Sequence, residues 1–412
     1  MDKCAFIGRE MYLTKSVGYI SVTSDHDYAV WDQLNIQIQQ RSFQFWKGWS
    51  VIDMRYLIIT YDDYFNIPYI KYYEDQLRRH GNPYDIIIWN RSGQNTEDIP
   101  NACVFRAKES SSKLGKILPF LRWRRFVLDQ FKRHNYDRLI VLTTIPGILL
   151  ADKLLGQYRG RYWFDIRDYT YEYIPLYKYL VGKLTNAAAI ASISSEAFHT
   201  FLPEDVPLVL THNITNLDAE ESRSRLDPQK QMLTIGFVGG IQYAQQNKLL
   251  LRHFGNDGHY QLKYVGKVHP SCDLESYCQE NDIYNVEFLP AYRNEEKPEI
   301  YRSIDLINSI YGGNSKIVQL ALPNKLYDCI LFKKPILVSK GTYLASVVEQ
   351  YHLGLAVDLE ADAVKQLVNC YLADFNPQLF EEGCRMFLEK VNSENKLYYQ
   401  ALECFCSGRE SE

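Results

Sequence analysis

Arg55-Tyr-Leu-Ile-Ile-Thr-Tyr61 is the stretch that decides the fold, because a continuous apolar run of this length suits a strand buried on both faces. A second run, Leu233-Thr-Ile-Gly-Phe-Val238, restarts the same pattern about 180 residues later. After each run, strand and helix patterns alternate with short connections, which predicts a mostly parallel sheet covered by helices on both sides. The sequence therefore predicts an α/β protein with two similar lobes.

The two runs also set the domain organisation. Residues 1–53 differ in pattern from the rest, and we interpret them as an N-terminal extension or a wrongly assigned start. The four further parts are a first Rossmann-like lobe, a polar linker, a second Rossmann-like lobe, and C-terminal helices that pack back toward the first lobe, over 54–217, 218–232, 233–375 and 376–412. Ligands of such sheets bind at the carboxyl ends of the strands, so we expect a functional cleft between the lobes.

Individual elements follow from periodicity. In the first lobe, strands are predicted at 85–89, 137–142, 162–166, 188–193 and 208–211, and helices at 64–80, 122–134, 146–157 and 171–184. In the second lobe, further strands are predicted at 262–265, 286–289, 306–307 and 336–338. The tail reads as one or two amphipathic helices.

Composition excludes several classes of protein. The 412 residues carry a net charge of −4 and are 46% hydrophobic and 23% charged, which is ordinary for a globular protein and argues against a nucleic-acid binder. The nine cysteines are scattered without a CxxC pair, so we expect neither a disulfide framework nor a zinc site, and a reducing cytoplasm fits best. We expect no signal peptide and no membrane span.

The segment from Leu322 to Gly341 carries the most specific signal for function. Pro323 and Asn324 predict a helix start there, and the free amides of a helix N-terminus suit a diphosphate. Asn324 and Asp328 are four residues apart and share a face, so that the carboxylate could accept hydrogen bonds from both hydroxyls of a ribose. The alternative is a capped surface helix with a solvated aspartate.

This segment resembles the donor-site signature of GT-B glycosyltransferases, in particular the family-four-like enzymes of bacterial capsule and exopolysaccharide assembly. Pro323 to Asp328, Lys334-Pro335-Ile336 and Gly341 to Val348 carry the likeness, with 234–239 and 286–290 as further similar stretches. The resemblance runs from about residue 54 to the C-terminus. It implies transfer of a sugar from a nucleotide-diphosphate donor, with retention of configuration and with neither metal nor other cofactor.

Two departures from the family pattern concern the donor site. The acidic pair of the family would place its first member at Leu320, an apolar residue that cannot take this role, and the arginine expected after the Gly239 turn is missing. Lys325, Lys267 and Lys316 are candidate substitutes for that cation, with solvated surface lysines as the alternative reading. The predicted donor-binding residues are Gly239, Gly240, Lys267, Tyr311, Gly312, Asn314, Asn324, Lys325 and Asp328.

The first lobe is expected to bind the acceptor. Asp165, Arg167 and Asp168 follow a predicted strand and should face the cleft, where an aspartate could bind or deprotonate an acceptor hydroxyl. We predict them as catalytic residues. The alternative is an Asp–Arg pair that only braces the loop, and His212 is interpreted as a structural histidine.

A basic, aromatic stretch lies between Arg106 and Arg138, where ten basic side chains face three acidic ones. Such a stretch can lie on an anionic membrane surface, so Arg122, Trp123, Arg124 and Arg125 are predicted membrane contacts. Because the acceptors of the family are usually lipid-linked saccharides, we expect a cytoplasmic protein at the inner face of the cell membrane. The apolar members of the stretch could instead pack on the sheet.

The sequence is open to three other interpretations. Asp25-His26-Asp27 matches the DxD of metal-dependent glycosyltransferases, but a three-residue match is easily due to chance. A bilobed ligand-binding protein would make no use of Pro323 to Asp328. A sugar-nucleotide epimerase of GT-B shape would need paired catalytic carboxylates. Whether the protein forms a homodimer is left open by the sequence.

Overall fold

The computed structural model describes residues 54–91, 93, 95–107, 113–214, 226–361 and 363–407. The predictions for residues 1–53, including Asp25 to Asp27, and for most of the 218–232 linker lie outside these ranges. The described chain forms two parallel sheets, each flanked by helices. The predicted α/β class with two Rossmann-like lobes is confirmed.

The first sheet has the strand order β3-β2-β1-β4-β5-β6-β7, and all of its neighbours pair in parallel. Its strands β1 to β7 are Tyr56–Ile59, Tyr84–Asn90, Ala102–Arg106, Arg138–Leu142, Tyr162–Ile166, Ile190–Ile193 and Leu208–Leu210. β1 is buried along its whole length, as expected for a central strand covered by helices on both faces. The strand order reverses direction between β1 and β4.

The second sheet has the order β10-β9-β8-β11-β12-β13, again with parallel neighbours. Its strands β8 to β13 are Leu233–Val238, Tyr260–Val265, Val286–Leu289, Leu306–Ser309, Ile336–Ser339 and Gly354–Val357. The order reverses between β8 and β11. At such a reversal the loops that follow the two strands diverge and leave a crevice, which is the usual ligand site of open α/β sheets.

Helices connect the strands and cover both sheets. In the first lobe, α1 to α5 are Ile70–Arg79, Lys113–Arg133, Thr144–Leu149, Ala151–Leu155 and Pro175–Ala187. In the second lobe, α6 to α12 are Ala244–Phe254, Leu274–Glu280, Lys297–Arg302, Lys316–Leu320, Asn324–Phe332, Tyr343–Gln350 and Val364–Ala373. The last described helix, α13, is Pro377–Ser407.

Helix α13 contributes to the hydrophobic cores of both lobes. Its first half buries Phe380 and Phe387 in the second lobe, and its second half buries Tyr398 and Phe405 against the first sheet. The hydroxyl of Tyr56, in β1, donates to the backbone oxygen of Phe405 at 2.9 Å. The tail is thus a single helix that joins the two lobes by packing as well as by covalent connection.

The structure corrects several predicted elements. Strands β3 and β13 were not predicted, and β3 is an edge strand that is only half-buried, so its apolar pattern is weak. The predicted helix over 146–157 is two short helices separated at Leu150. The helix predicted from residue 171 begins at Pro175, because proline favours the first helical position.

Candidate active site

A cavity of about 370 Å³ opens at the carboxyl edge of the second sheet, at the reversal between β8 and β11. Loops after β8, β11 and β12 and the start of α10 form most of its wall, and Asp168 reaches it from the first lobe. The cavity therefore lies in the cleft between the lobes. Of the predicted donor residues, it is lined by Gly239, Gly240, Tyr311, Asn324, Lys325 and Asp328.

The Gly239 turn brings backbone to the cavity wall. Gly239 has a φ of +124°, and a Cβ on Gly266 of the adjoining loop would lie 1.9 Å from the Gly239 oxygen. The close approach of the two loops thus requires Gly266, and the positive φ favours glycine at position 239. The Nζ atom of Lys325 lies 3.9 Å from the position that a Gly239 Cβ would take, so turn and lysine face the same space.

Lys325 is a buried lysine whose ammonium faces aromatic rings. Its Nζ lies 3.6 Å from the centre of the Phe237 ring and donates to the hydroxyl of Tyr311 at 2.9 Å. Burial lowers the pKa of Lys325 to about 7, which the charge of Asp328 only partly offsets. An anion that entered the cavity here would meet a desolvated cation.

The start of α10 adds backbone donors. The structure places Pro323 at the N-cap, without a side-chain cap, and Asn324 as the first helical residue. The helix therefore starts at the predicted residues. The first amides of a helix have no partner within it, and they carry the positive end of its dipole. Pro323, Asn324 and Lys325 all line the cavity, so the helix presents this end to it.

Asp328, the predicted ribose ligand, is held by two neighbours. Lys297, at the start of α8, places its Nζ 2.9 Å from Oδ1 and 3.2 Å from Oδ2 of Asp328. The buried hydroxyl of Tyr301 donates to Oδ2 at 2.7 Å. Burial, followed by the charge of Asp328, raises the pKa of Tyr301 well above its ordinary value, so this hydroxyl stays protonated and donates.

Three predicted donor residues lie outside the cavity lining. Lys267 and Asn314 are exposed to solvent, and Gly312 instead donates its backbone N–H to Ser339 Oγ at 2.9 Å. The same serine oxygen accepts from the N–H of Tyr311 at 3.0 Å, which fixes this loop. Gly312 therefore shapes the wall without forming part of it.

The three residues predicted in the first lobe differ in accessibility. Asp165 is fully buried and accepts hydrogen bonds from Tyr73, Ser192 and Arg167, each at 2.8 Å. The guanidinium of Arg167 also donates to Asn213 at 3.1 Å. These contacts favour the bracing alternative and correct the expectation that Asp165 and Arg167 face the cleft.

Asp168 is the member of the trio that lines the cavity. Asp168 is exposed on the cavity wall, and partial desolvation by the surrounding protein raises the pKa of its carboxyl, which the positive charge of Arg167 only partly counteracts. A carboxylate with a raised pKa is a better proton acceptor than an ordinary aspartate. Its catalytic role stays a prediction.

Several cavity residues were not found from the sequence. Lys297 stands in a run of charged residues that reads as a solvated helix start, and Gln242, Tyr243 and Tyr292 stand in loops without a motif. No sequence signal pairs Lys297 with Asp328, because they are 31 positions apart and a strand and a helix lie between them.

Leu320 and His212 both lie where the two lobes meet. The Leu320 side chain packs on the core of the first lobe, and its carbonyl oxygen accepts from Ser195 Oγ at 2.5 Å. Buried His212 contacts Tyr327 in α10 at 2.8 Å and Glu394 in α13 at 2.6 Å. His212, which follows the last strand of the first lobe, thus contacts the second lobe and the joining helix α13.

Helix α2 forms most of the basic stretch. The contacts of this helix change which residues can be membrane contacts. Trp123 is fully buried in the core of the first lobe, so it cannot contact a membrane. Arg124 is bound to Asp152 at 2.9 Å. Arg122 and Arg125 are exposed, together with Ile117, Leu118 and Leu121, which are 57%, 57% and 54% exposed.

The described part of the chain has neither a membrane-spanning helix nor a cluster of metal-binding side chains. In these ranges no helix is long and apolar enough to cross a membrane. The same part of the chain contains no cluster of three or more His, Cys, Asp or Glu side chains that could hold a metal ion.

The fold and the cleft define the class of architecture. Two parallel Rossmann-like sheets that face a cleft, joined by a C-terminal helix that packs on both, form the GT-B fold, as in solved glycosyltransferases. No protein-family model and no curated protein sequence matches the chain. The resemblance to known proteins is therefore one of structure.

Three solved structures illustrate this likeness. Anabaena HepE in complex with UDP-glucose aligns with a TM-score of 0.60 and 12% identity, over 84% of this chain and 99% of that one. Sucrose-phosphate synthase from Thermosynechococcus elongatus aligns with a TM-score of 0.59 and 13% identity, over 85% of this chain and 96% of that one. WaaG, a glycosyltransferase involved in lipopolysaccharide biosynthesis, aligns with a TM-score of 0.53 and 13% identity, over 84% of this chain and 98% of that one.

Proposed function

We propose that this protein is a glycosyltransferase that moves a sugar from a nucleotide-diphosphate donor to a lipid-linked or growing polysaccharide acceptor. The observation that carries the proposal is the buried ammonium of Lys325 beside the Gly239 turn and the start of α10. The nearby Asp328 is already paired with Lys297. A diphosphate would supply the counter-charge that Lys325 otherwise lacks.

The same groups supply the chemistry of transfer. As the bond between sugar and diphosphate breaks, negative charge grows on the departing phosphate. The ammonium of Lys325 and the N-terminal amides of α10 are positioned to stabilise that charge, so we propose a reaction without a metal ion. We propose retention of anomeric configuration, as the family resemblance implies, although Leu320 replaces one acidic residue of that family.

In the first lobe, Asp168 would contact the acceptor. It is the described carboxylate on that side of the cavity, and its raised pKa suits a group that takes a proton from an attacking hydroxyl. Asp165 and Arg167 would position the loop that carries it, because their ion pair of 2.8 Å joins the end of β5 to the residues just before Asp168.

The proposal is tested by nucleotide binding. UDP or GDP should raise the melting temperature of the protein, and Lys325→Met or Asp328→Ala should remove most of that shift. Lys396→Met, at an exposed site on α13, is the matched control and should keep it. If neither nucleotide stabilises the wild-type protein, the proposed function is wrong.

Nucleotide-sugars then separate the enzyme classes. A screen for nucleotide-sugar hydrolysis should identify the donor, and transfer to an acceptor should follow. An epimerase would instead release or invert the sugar without transfer, and a ligand-binding protein would bind without turnover. The cavity favours transfer, because its described carboxylates Asp168 and Asp328 lie in different lobes and Asp328 is held in an ion pair.

We further propose peripheral contact with the inner face of the cell membrane through the exposed face of α2. Two arginines beside three exposed apolar side chains match an anionic bilayer, which offers negative headgroups above an apolar interior. Sedimentation with vesicles that contain anionic lipid should be lost in Arg122→Glu/Arg125→Glu. Lys71→Glu/Arg79→Glu, which changes the charge equally at exposed sites of α1, should sediment normally.

A further inference from the structure

Asp328 has little free capacity to accept hydrogen bonds. An ionised carboxylate offers about four lone-pair positions. Three are used here, because Oδ1 contacts the Lys297 ammonium, and Oδ2 contacts both that ammonium and the hydroxyl of Tyr301. The position that remains is on Oδ1. In this arrangement the carboxylate can take one hydroxyl of a ribose but not both.

Lys297 has a donor to spare. An ammonium carries three N–H groups, and the contacts of Lys297 go to the two oxygens of a single carboxylate. The side chain of Lys297 is 9% exposed and that of Asp328 is 5% exposed, and both residues line the cavity. A donor and an acceptor therefore lie side by side on the same wall.

We propose that Lys297 and Asp328 together bind the ribose of the donor, a role that rests on the proposed function. One hydroxyl donates to Oδ1 of Asp328, and the neighbouring hydroxyl accepts from Nζ of Lys297. The 2.9 Å between Nζ and Oδ1 is comparable to the separation of the two hydroxyl oxygens in a cis-diol. Lys297 is then a positioning residue for the nucleoside.

In this arrangement the two lysines of the cavity bind different parts of the donor. Lys297 and Asp328 form a neutral pair, so Lys297 does not compete with Lys325 for the diphosphate. Removing Lys297 should therefore weaken the binding of uridine, UMP and UDP by the same factor. Removing Lys325 should weaken the binding of UDP far more than the binding of uridine.

The test combines changes in the protein with changes in the ligand. Dissociation constants of UDP, 2′-deoxy-UDP and 3′-deoxy-UDP are measured by calorimetry for the wild-type protein, Lys297→Met and Asp328→Asn. Should only GDP bind, its deoxy forms are used instead. For the wild type, each missing hydroxyl should cost about 10- to 100-fold in affinity, because each hydroxyl bonds to a charged group.

Each of the two variants should lose the ability to distinguish UDP from a different one of its two deoxy forms. Lys297→Met should no longer distinguish UDP from one of the deoxy forms while still distinguishing the other, and Asp328→Asn should show the opposite preference. Lys297→Arg, which keeps the donor, should retain most of the wild-type pattern. If Lys297→Met discriminates against both deoxy forms as strongly as the wild type, the inference is wrong.

Folding of the variants is controlled separately. Lys297→Met leaves a buried carboxylate without its partner, so Lys297→Met/Asp328→Leu serves as a second variant in which both charges are removed. This double variant should bind UDP and its two deoxy forms equally, and continued discrimination would contradict the inference. If wild-type protein binds neither UDP nor GDP, the proposed function fails. If UDP or GDP binds but the loss of Lys297 leaves the discrimination against the deoxy forms unchanged, only this inference fails.

Discussion

The Nζ atom of Lys325 lies 3.6 Å from the centre of the Phe237 ring, inside the second lobe and at the wall of the cleft. The π face of the ring attracts the ammonium, but it replaces only part of the hydration that burial removes. The lysine is therefore poorly stabilised in its charged form until an anion enters.

Nucleotide affinity should decrease with pH above 7. The pKa of Lys325 is about 7 in the empty protein, and a bound diphosphate should raise it, so binding takes up a proton. The dissociation constant of UDP should rise by up to about tenfold per pH unit between pH 7 and 9. Calorimetry should find this slope abolished in Lys325→Met and preserved in Lys396→Met. A flat profile for the wild type would contradict the prediction.

Lys325 should also affect the pH dependence of folding. Between the folded pKa of about 7 and the ordinary value of 10.5, the unfolded chain holds a proton that the folded protein lacks. This lysine therefore makes the free energy of unfolding rise with pH across that window, by at most about 1.4 kcal/mol per unit. Urea unfolding at pH 7 and pH 9 should show a smaller rise for Lys325→Met. An equal rise in both proteins would exclude this role of the lysine.

The helix that joins the lobes should be essential for stability in its second half. Phe405 is fully buried between α13 and the first sheet, so Phe405→Ala should lower the free energy of unfolding by about 3–5 kcal/mol. Met386→Ala, at an exposed position of the same helix, should lower it much less. Urea unfolding followed by circular dichroism measures both. Similar losses for the two variants would argue against the packing described.

Sequence patterns predicted the central strands well because these strands are buried on both faces. Strands β5 and β8 lie at the predicted residues, because their apolar runs are stable only when both faces of the strand are covered. Edge strand β3 was missed because it is half-exposed and lacks such a run. The long α13 was predicted only as one or two helices, because the pattern does not show that one helix packs on both lobes.

The candidate site was only partly predictable. Lys325 and Asp328 belong to a local motif, so sequence alone brought them to the cavity. Asp165 lies in β5 and Asp168 follows that strand, but which of them is buried depends on partners such as Tyr73, 92 residues away from Asp165. Lys297 has no local signal, because its ion pair with Asp328 forms only when α8 packs beside α10.

Exposure should decide which residues of α2 contact lipid. Leu121 is exposed and Trp123 is buried in the core, so Leu121→Glu should abolish sedimentation with anionic vesicles while Trp123→Phe should leave it intact. Trp123→Phe should lower the stability of the first lobe instead, because it removes buried volume. Loss of vesicle binding in Trp123→Phe at a temperature where it remains folded would overturn this assignment.

Asp168 should matter for turnover rather than for nucleotide binding. In Asp168→Asn the acceptor hydroxyl loses its proton acceptor, so transfer from the nucleotide-sugar identified by hydrolysis should fall by about 10²- to 10⁴-fold. The dissociation constant of UDP should stay within about twofold, because binding of the nucleotide uses residues of the second lobe. Asp205→Asn, an exposed carboxylate of the same lobe, is the matched control. Because partial desolvation in the cleft raises the pKa of Asp168, wild-type activity should decline on acidification at a higher pH than an ordinary aspartate would give. Unchanged turnover in Asp168→Asn would show that the acceptor is activated by another group.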